Sequence, residues 1–420
     1  MQADRASTLP PVNVLLTGSG GREHALAWKL SASPQLEELH AAPGNPGIAK
    51  LGTCHPVRVD DSEGLLGLCR DLAIELVVVG PESPLVAGMA DRLRQAGVAV
   101  FGPSREAARI EGSKRFAKDV MQAAGVPTAR TLAAPRPPCV VKVDGLAAGK
   151  GVFVCRTESE LDAGLRAAAR FGGELVIEEL LVGDELSLFA LADGRDAVAL
   201  APAQDSKRLE DGDRGPNTGG MGAFSPVPRI GAAEVEELLD TIHRPTLNEL
   251  AARGTPFVGL LYAGLMLTDD GPRVLEFNCR FGDPETQAIL PRIDGDLLSA
   301  LVSAAAGSLE ADLEPRPTAA VTIVVAGERY PEQNDVGSPI AGLEEAEATG
   351  ALVFHAGTAL HEGRVVTSGG RILNVTGRGD DIASARRLAY SALAHISFPG
   401  MRYRTDIADA ASRAASGVHG

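Results

Sequence analysis

Short apolar runs alternate with stretches of helical spacing over the first hundred residues of this chain. Val12-Asn13-Val14-Leu15-Leu16 reads as a buried strand, followed by Thr17-Gly18-Ser19-Gly20-Gly21 and a helix over 22–30. Residues 74–79 form a second strand stopped by Gly80-Pro81, and residues 98–101 a third stopped by Gly102-Pro103. Strands alternating with helices predict a parallel sheet with helices on its faces. Ser104 can cap the next helix, which places a boundary at Gly102-Pro103-Ser104.

The pattern then changes. Residues 140–143 and 152–154 flank the glycine-rich turn Gly145-Leu-Ala-Ala-Gly149-Lys150-Gly151, which predicts a hairpin rather than a crossover. A helix over 158–170, strands over 175–179 and 185–192, and a turn at Asp193-Gly194 into 197–201 make an antiparallel α+β block. From Thr318 a last unit follows, with strands over 319–326, 352–355, 364–366 and 372–375 and a helix over 381–395. No repeat, low-complexity tract or long linker interrupts the chain.

A length of 420 residues corresponds to three domains at about 150 residues each. The 45% hydrophobic and 23% charged fractions are those of a globular chain, which excludes disordered and fibrous classes. Scarce aromatics (4%) beside 48 glycines suit an α/β enzyme with many tight turns. Lys plus Arg number 40 against 55 Asp plus Glu, a net charge of −15, which argues against nucleic acid or an anionic membrane as a partner. Any phosphate-bearing substrate must therefore meet a local positive patch. The five cysteines form no CxxC pair and are expected reduced. With no apolar core in residues 1–10 and no run of 18 apolar residues, neither a signal peptide nor a membrane span is expected, and the cytoplasm is the expected compartment.

Six segments carry candidate chemistry. Gly18-Ser19-Gly20-Gly21-Arg22-Glu23-His24 sits between strand and helix, where backbone amides can approach a phosphate. It departs from GxGxxG at Glu23, and no carboxylate ends the second strand at His40-Ala41-Ala42-Pro43-Gly44-Asn45. Phosphate binding, a purely structural turn and a dinucleotide site stay open. The turn at Gly145–Gly151 approximates a Walker A loop but is one residue short, has Gly151 in place of Ser/Thr and leads into a strand. It can still fold over a triphosphate between Lys142 and Lys150. Only seven lysines occur in the chain, and four of them (Lys114, Lys142, Lys150, Lys207) fall in glycine-rich or polar segments, as phosphate contacts would require.

In Ile177-Glu178-Glu179-Leu180-Leu181-Val182-Gly183-Asp184-Glu185, backbone at a strand end can read an adenine edge and Glu185 can accept from ribose hydroxyls; an exposed strand end is the equal alternative. In Arg273-Val-Leu-Glu276-Phe-Asn278-Cys-Arg280-Phe-Gly282-Asp283-Pro284-Glu285, Glu276 and Asn278 share one strand face at i and i+2. A carboxylate plus an amide oxygen is a hard-oxygen pair suited to Mg²⁺ shared with phosphates, and Arg280 can clamp a moving phosphoryl group. Gln204-Asp205-Ser206-Lys207-Arg208 and Gly215-Pro-Asn217-Thr218-Gly219-Gly220-Met221-Gly222 suit a loop folded on a small polar ligand. No HExxH, GxSxG or Cys–His signal is present.

Read in order, GSGGREHALAWKL, APGNPG, VVVGPESPLVAG, EGSKRFAK, VKVDGLAAGKGV, VIEELLVGDELS, QDSKR, GPNTGGMGAFSP, EFNCRFGDPETQ and SGGRILNVT closely resemble the phosphoribosylamine–glycine ligase family (glycinamide ribonucleotide synthetases) of the ATP-grasp superfamily. The resemblance implies an α/β and α+β multidomain fold: a Rossmann-like parallel-sheet domain over 11–103, an ATP-grasp domain over 104–317 with a lid at about 118–183, and a small C-terminal α+β domain over 318–420. It implies that ATP phosphorylates glycine and that the amine of 5-phosphoribosylamine attacks the glycyl phosphate, a step of purine biosynthesis. Lys114 and Lys142 would contact ATP phosphates under the turn of Gly149, Lys150 and Gly151; Glu178, Glu179, Leu180 and Leu181 would hold adenine, Glu185 the ribose, and Glu276 and Asn278 Mg²⁺ or Mn²⁺. Arg280 and Lys142 would be catalytic. Gly20, Gly21, Arg22, Glu23, Gly44, Asn45, Pro81, Glu82, Asp205, Lys207, Asn217, Thr218, Arg280 and Asp283 would serve phosphoribosylamine and glycine. A monomer is expected, with a dimer as the alternative.

The chain departs from the family pattern in four places: residues 1–10 precede the usual start, Ala-Ala-Pro-Arg-Pro-Pro replaces a helix between Thr131 and Cys139, the segment at Phe171-Gly172-Gly173 lacks most of a glycine-rich loop, and Ser206 stands where His is usual. A trimmed lid implies a weaker ATP KM with the chemistry retained. Another ATP-grasp carboxylate–amine ligase, a non-catalytic nucleotide-binding regulator and an NAD oxidoreductase are the competing classes.

Overall fold

The computed structural model describes residues 11–147 and 150–415; Gly149 and residues 1–10 lie outside the described residues. The first unit is a parallel sheet with strand order Thr53–Cys54, Leu36–Pro43, Val12–Gly18, Leu76–Val79, Ala99–Phe101. Leu15, Val77 and Val79 enter one hydrophobic core and Val14, Leu16, Leu76 and Val78 enter another on the opposite face. Burial on both faces is why these strands are continuous apolar runs. Strand order reverses between Val12–Gly18 and Leu76–Val79, and ligands of open parallel sheets enter at the carboxyl ends of such a pair. Gly18-Ser19-Gly20 and Gly80-Pro81-Glu82 leave the sheet at that point.

Beyond Phe101, Ser104 Oγ accepts from the Ala107 amide at 3.2 Å and caps the helix Arg105–Gly112, as its position after Gly-Pro predicts. Ser113 caps the helix Lys114–Ala123 in the same way, and Ala117, Val120 and Met121 bury that helix in the core shared with the first unit. The predicted hairpin is present. Cys139–Val143 pairs antiparallel with Val152–Cys155 on one side and Leu175–Glu179 on the other. The helix Glu158–Ala168 covers one face through a small cluster of Cys139, Val141, Val143, Cys155, Leu161, Ala168 and Ile177. Strand alternation therefore sends Lys142 and Glu178 to the opposite face. The stretch 130–132 runs extended along Leu175–Glu179, with Leu132 donating to Ile177 and Glu179 donating to Arg130, so no helix fills the Pro-rich gap.

A four-stranded antiparallel sheet of Ala197–Ala199, Asp184–Asp193, Val258–Thr268 and Gly271–Asn278 forms the floor beneath that hairpin. The last unit is less separate than its sequence suggests. Its sheet runs Gln204–Asp205, Gly222–Ser225, Ala319–Ala326, Arg371–Gly379, Leu352–His355, so two strands come from the middle of the chain. Residues 364–366 extend to Arg364–Gly369 in a second small sheet with Asp335–Pro339 and Thr358–His361, two half-exposed strands whose polar residues gave no periodic signal. No helix among the described residues is long and apolar enough to cross a membrane.

Candidate active site

The inner face of the hairpin, the end of Gly271–Asn278, the loops of the first sheet and one C-terminal strand converge on one polar cleft. Glu178, almost fully buried, lies between two lysines: Lys142 Nζ at 2.7 Å and Lys118 Nζ at 2.8 Å. Lys142 also donates to the Leu275 carbonyl at 2.8 Å, and Lys118 to Thr128 Oγ1 at 2.8 Å. Burial pulls the Lys118 ammonium below its usual range, opposed by Glu178. Lys114 Nζ donates to the Gly145 carbonyl at 2.9 Å, and burial lowers its pKa also. Lys142 thus meets Glu178 directly, with Lys114 close enough for Lys142 to oppose its charge, so the Glu178 carboxylate is engaged by lysines rather than free for adenine. Lys118 was not singled out from the sequence; its four-residue spacing from Lys114 on one helix is the signal that places both on the same face.

Lys150 stands apart. Its Nζ donates to the Pro331 carbonyl of the C-terminal unit at 2.8 Å instead of joining Lys114 and Lys142. Gly151 packs against the turn itself, where a Cβ would sit 2.6 Å from Ala147 Cβ. Glu179 pairs with Arg130 Nε at 2.8 Å; burial opposes its ionisation, but the Arg130 contacts hold its pKa below the ordinary value. Leu180 and Leu181 are half-buried at the strand end, and Glu185 pairs with Lys207 at 2.7 Å. A cavity of about 620 Å³ opens at the outer edge of the hairpin beside Lys150, Phe153, Phe171, Arg208 and Asn217. Lys114, Lys142, Glu178 and Glu276 do not line it, so the charged cluster lies elsewhere.

On the floor, Phe277 is buried in the core while Glu276 and Asn278 face the cleft. Burial works against ionisation of Glu276, but Lys207, Lys142, Lys114 and Arg280 outweigh it and hold its pKa below the usual value. Asn278 Oδ1 accepts from Arg280 Nη2 at 3.1 Å, and its Nδ2 is buried without a partner among the described residues. One carboxylate and one amide oxygen fit a divalent cation that completes its shell with phosphate oxygens and water. No cluster of three or more acidic, His or Cys residues among the described residues forms a self-contained cage.

Arg280 is gripped by Glu82 (3.1 Å) and Glu111 (3.3 Å). Burial opposes its charge, and the two carboxylates more than restore it. Glu82 is held down to about 2 despite burial, by Arg280 and Arg22. Burial pushes Glu111 up, although it accepts the Cys279 amide at 2.7 Å. Glu111 precedes Gly112-Ser113-Lys114 in the chain, and no spacing rule points from there to Arg280. Nearby, burial raises Asp205 to about 8, against the pull of Lys207 and with Glu285, Glu185 and Glu276 adding to the rise. Lys207 stays charged because Asp205 and Glu185 overcome its own burial.

The glycine loop holds a carboxylate of its own. Glu23 Oε2 accepts from the Gly20 amide at 2.6 Å and Oε1 from Arg22 Nε at 2.6 Å. A Cβ on Gly18, Gly20 or Gly80 would lie 2.6, 2.7 or 2.1 Å from the Glu23 side chain. These glycines therefore make room for Glu23, which sits where a dinucleotide pyrophosphate would have to lie. Asn45 is also a correction. Its Nδ2 donates to the carbonyls of Ser19 and His355, and its Oδ1 accepts from Gly47 and Ile48, all at 2.9 Å. With two donors and two lone pairs engaged, the side-chain amide has no group left for a substrate. Gly44, at φ +72°, donates to the Gly18 carbonyl at 3.0 Å and shapes the same turn. Thr218 Oγ1 donates to the Lys207 carbonyl at 2.8 Å and accepts from Gly220, holding its own loop. Asp283 accepts from Gln287 and from Arg371, both at 2.8 Å; Arg371 comes from the last unit, in the stretch SGGRILNVT, to which no role was assigned from sequence.

Comparison with known proteins agrees with this architecture. Residues 12–111, 112–286 and 320–410 match the N domain, the ATP-grasp (A) domain and the C domain of phosphoribosylglycinamide synthetase. The phosphoribosylamine–glycine ligase of Streptomyces coelicolor is 51% identical over 421 aligned positions, covering 96% of this chain and 100% of that one. That of Brucella melitensis is 49% identical over 417 positions, covering 94% and 97%. The crystal structure of phosphoribosylamine–glycine ligase from Thermotoga maritima superposes with a TM-score of 0.81 at 38% identity, covering 94% and 100%. With three consecutive family domains and relatives of this identity along nearly its whole length, the chain belongs to the phosphoribosylglycinamide synthetase (phosphoribosylamine–glycine ligase) family of ATP-grasp enzymes.

Proposed function

We propose that this chain joins glycine to 5-phosphoribosylamine with ATP, through a glycyl phosphate, releasing glycinamide ribonucleotide, ADP and phosphate. The observation that carries the reading is Glu276: a half-buried carboxylate with no hydrogen bond among the described residues, ringed by Lys114, Lys142, Lys207 and Arg280. The convergence of these four cations on one carboxylate, beside the amide oxygen of Asn278, suits a metal-bound polyphosphate.

In the first step a glycine carboxylate oxygen bonds to the γ-phosphorus of ATP and the bond to ADP breaks. Lys142 and Lys114 hold the phosphates, and Arg280 faces the phosphoryl group in transit. Glu178 keeps Lys142 in place, while Glu179 to Leu181 offer backbone to adenine and Glu185 faces the ribose. Glu276 and Asn278 would hold Mg²⁺ or Mn²⁺, which supplies charge neutralisation on the phosphates. In the second step the amine nitrogen bonds to the glycyl carbonyl carbon, phosphate leaves and the amine gives up a proton. The hairpin over the cleft excludes the water that would otherwise hydrolyse the acyl phosphate. We propose a cytoplasmic monomer.

The test is ADP release by purified protein with Mg-ATP, with glycine and freshly made phosphoribosylamine added singly and together. Turnover that needs both, with glycinamide ribonucleotide formed, supports the reading. ADP formation with a different amino acid, or none with ATP bound, points instead to another ATP-grasp ligase or to a nucleotide-binding regulator.

A further inference from the structure

Phosphoribosylamine carries a phosphate, and a chain of net charge −15 must provide a cation to receive it. Most cations of the cleft are engaged by carboxylates along the edge that would do this. Arg22 Nε is held by Glu23 and Arg280 Nε by Glu82, while Lys142 and Lys118 share Glu178. Arg371 differs. Its Nη1 donates to the carbonyls of Gly219 (2.5 Å) and Asp283 (2.8 Å), and its Nη2 donates to the Asp283 carboxylate (2.8 Å). These contacts use the terminal edge of the guanidinium. The lateral edge, Nε–H beside the second Nη2–H, has no partner among the described residues, and the side chain keeps 20% exposure. A planar fork fixed along one edge and open along the other is the geometry that accepts two phosphate oxygens at once.

The backbone explains why this arginine faces the cleft. Opposite Val325 and Ala326 the strand register shifts, pairing Leu373 and Arg371 and leaving Ile372 as an extra residue that is buried in the C-terminal core. The shift lets Arg371 reach Asp283 while Asn374 packs against the glycine loop, where a Cβ on Gly21 would lie 2.0 Å from Asn374 Nδ2. Both amide atoms of Asn374 are buried and without partners among the described residues. Gln287, which donates to Asp283, would lie 2.7 Å from the same Cβ. Three parts of the chain therefore meet at this point: the Gly20-Gly21 loop, the Asp283–Gln287 segment and the C-terminal strand. Tyr330 Oη accepts the Gly219 amide at 3.0 Å and fixes the loop that Arg371 also holds.

We propose that the lateral Nε–Nη2 edge of Arg371 receives the phosphate of phosphoribosylamine, with Asp283 orienting the guanidinium. The assignment rests on the ligase reading given above, and it makes the C-terminal unit part of the substrate site. Asp283 neutralises one charge, so the remaining donors discriminate by geometry as much as by charge, and lysine replaces them only in part.

The test is calorimetric titration of the full chain with glycinamide ribonucleotide and with glycinamide riboside, the same molecule without its phosphate. Wild type, R371M and R371K are compared, with ATP titrations and thermal melts alongside. The expected result is that wild type prefers the nucleotide and that R371M loses roughly 10- to 100-fold in nucleotide affinity, the worth of a charge-assisted hydrogen bond or two. Riboside and ATP affinities hold, and R371K recovers part of the loss. If both variants keep the wild-type preference, or if ATP affinity falls in parallel, the assignment is overturned. Should R371M not fold, R371K decides by the same preference. A wild-type protein that neither binds nor makes the nucleotide overturns the ligase reading and this assignment together, whereas one that makes it with an unaltered R371K preference overturns this assignment alone.

Discussion

His24 Nδ1 accepts the backbone N–H of His355 at 2.7 Å, joining the first helix to a strand 331 residues away. Accepting there requires a neutral His24. Burial, with His355 and Lys50 nearby, lowers its pKa to about 3, and burial with Lys50 lowers His355 to about 4. Both rings are neutral in the fold and take up protons near pH 6.5 once unfolded. Their contribution is therefore complete above about pH 6.5 and is lost progressively as pH falls towards about 3. Denaturant unfolding at pH 7.5, 6 and 5 is expected to show stability falling by up to about 2.7 kcal/mol per pH unit from the two rings. His24→Asn, which keeps an acceptor without a titrating ring, should remove about half of that slope. An unchanged slope would refute the account.

Asn45 predicts a separation of stability from chemistry. Asn45→Ala leaves two carbonyls and two amides without their partner, which should cost about 2–4 kcal/mol in urea unfolding. At a temperature where the variant is folded, the KM for phosphoribosylamine should stay within about threefold of wild type, since each threefold is under 1 kcal/mol. A large KM rise without loss of stability would return Asn45 to the substrate site.

Lys118 should matter to ATP without touching it. Lys118→Met leaves buried Glu178 with Lys142 alone, pulling Lys142 harder towards the carboxylate. Weakening of ATP binding by roughly tenfold is expected, against a full loss of turnover in Lys142→Met. Equilibrium titration with a non-hydrolysable ATP analogue reads the first effect, and steady-state ADP release the second.

Glu276→Gln keeps the shape and removes the charge. Turnover should fall by roughly 100- to 1,000-fold, and the divalent-ion concentration giving half-maximal rate should rise. Metal-dependence curves measured as ADP release would show it. A rate loss with an unaltered metal curve would separate Glu276 from the cation.

The connection at Phe171-Gly172-Gly173 is short and exposed, with both glycines at positive φ. ATP KM should be several-fold weaker than in a relative with a longer loop there, with kcat less affected, because lid closure supplies binding and water exclusion. Equal ATP affinity in parallel titrations would remove this link.

Local features were readable without coordinates wherever a short period or a cap governs them. Continuous runs such as Leu76–Val79 marked a sheet buried on both faces, Ser104 marked a helix start, and the i, i+2 relation of Glu276 and Asn278 followed from strand geometry. The glycines of the first loop were legible as a tight turn, but not that their space belongs to Glu23. Asn45 looked like a free amide because its partner at His355 is 310 residues distant.

By itself, the sequence determined the alternation of strands and helices, the hairpin, and the pairing of an acidic and an amide residue on one face, since each depends on neighbours within a few residues. Tertiary structure alone decided which charges meet. It placed Glu178 between Lys118 and Lys142, turned Lys150 to Pro331, and carried Arg371 to Asp283 across 88 residues. Electrostatic partnership depends on distance through space, and no local period encodes where distant strands will lie side by side.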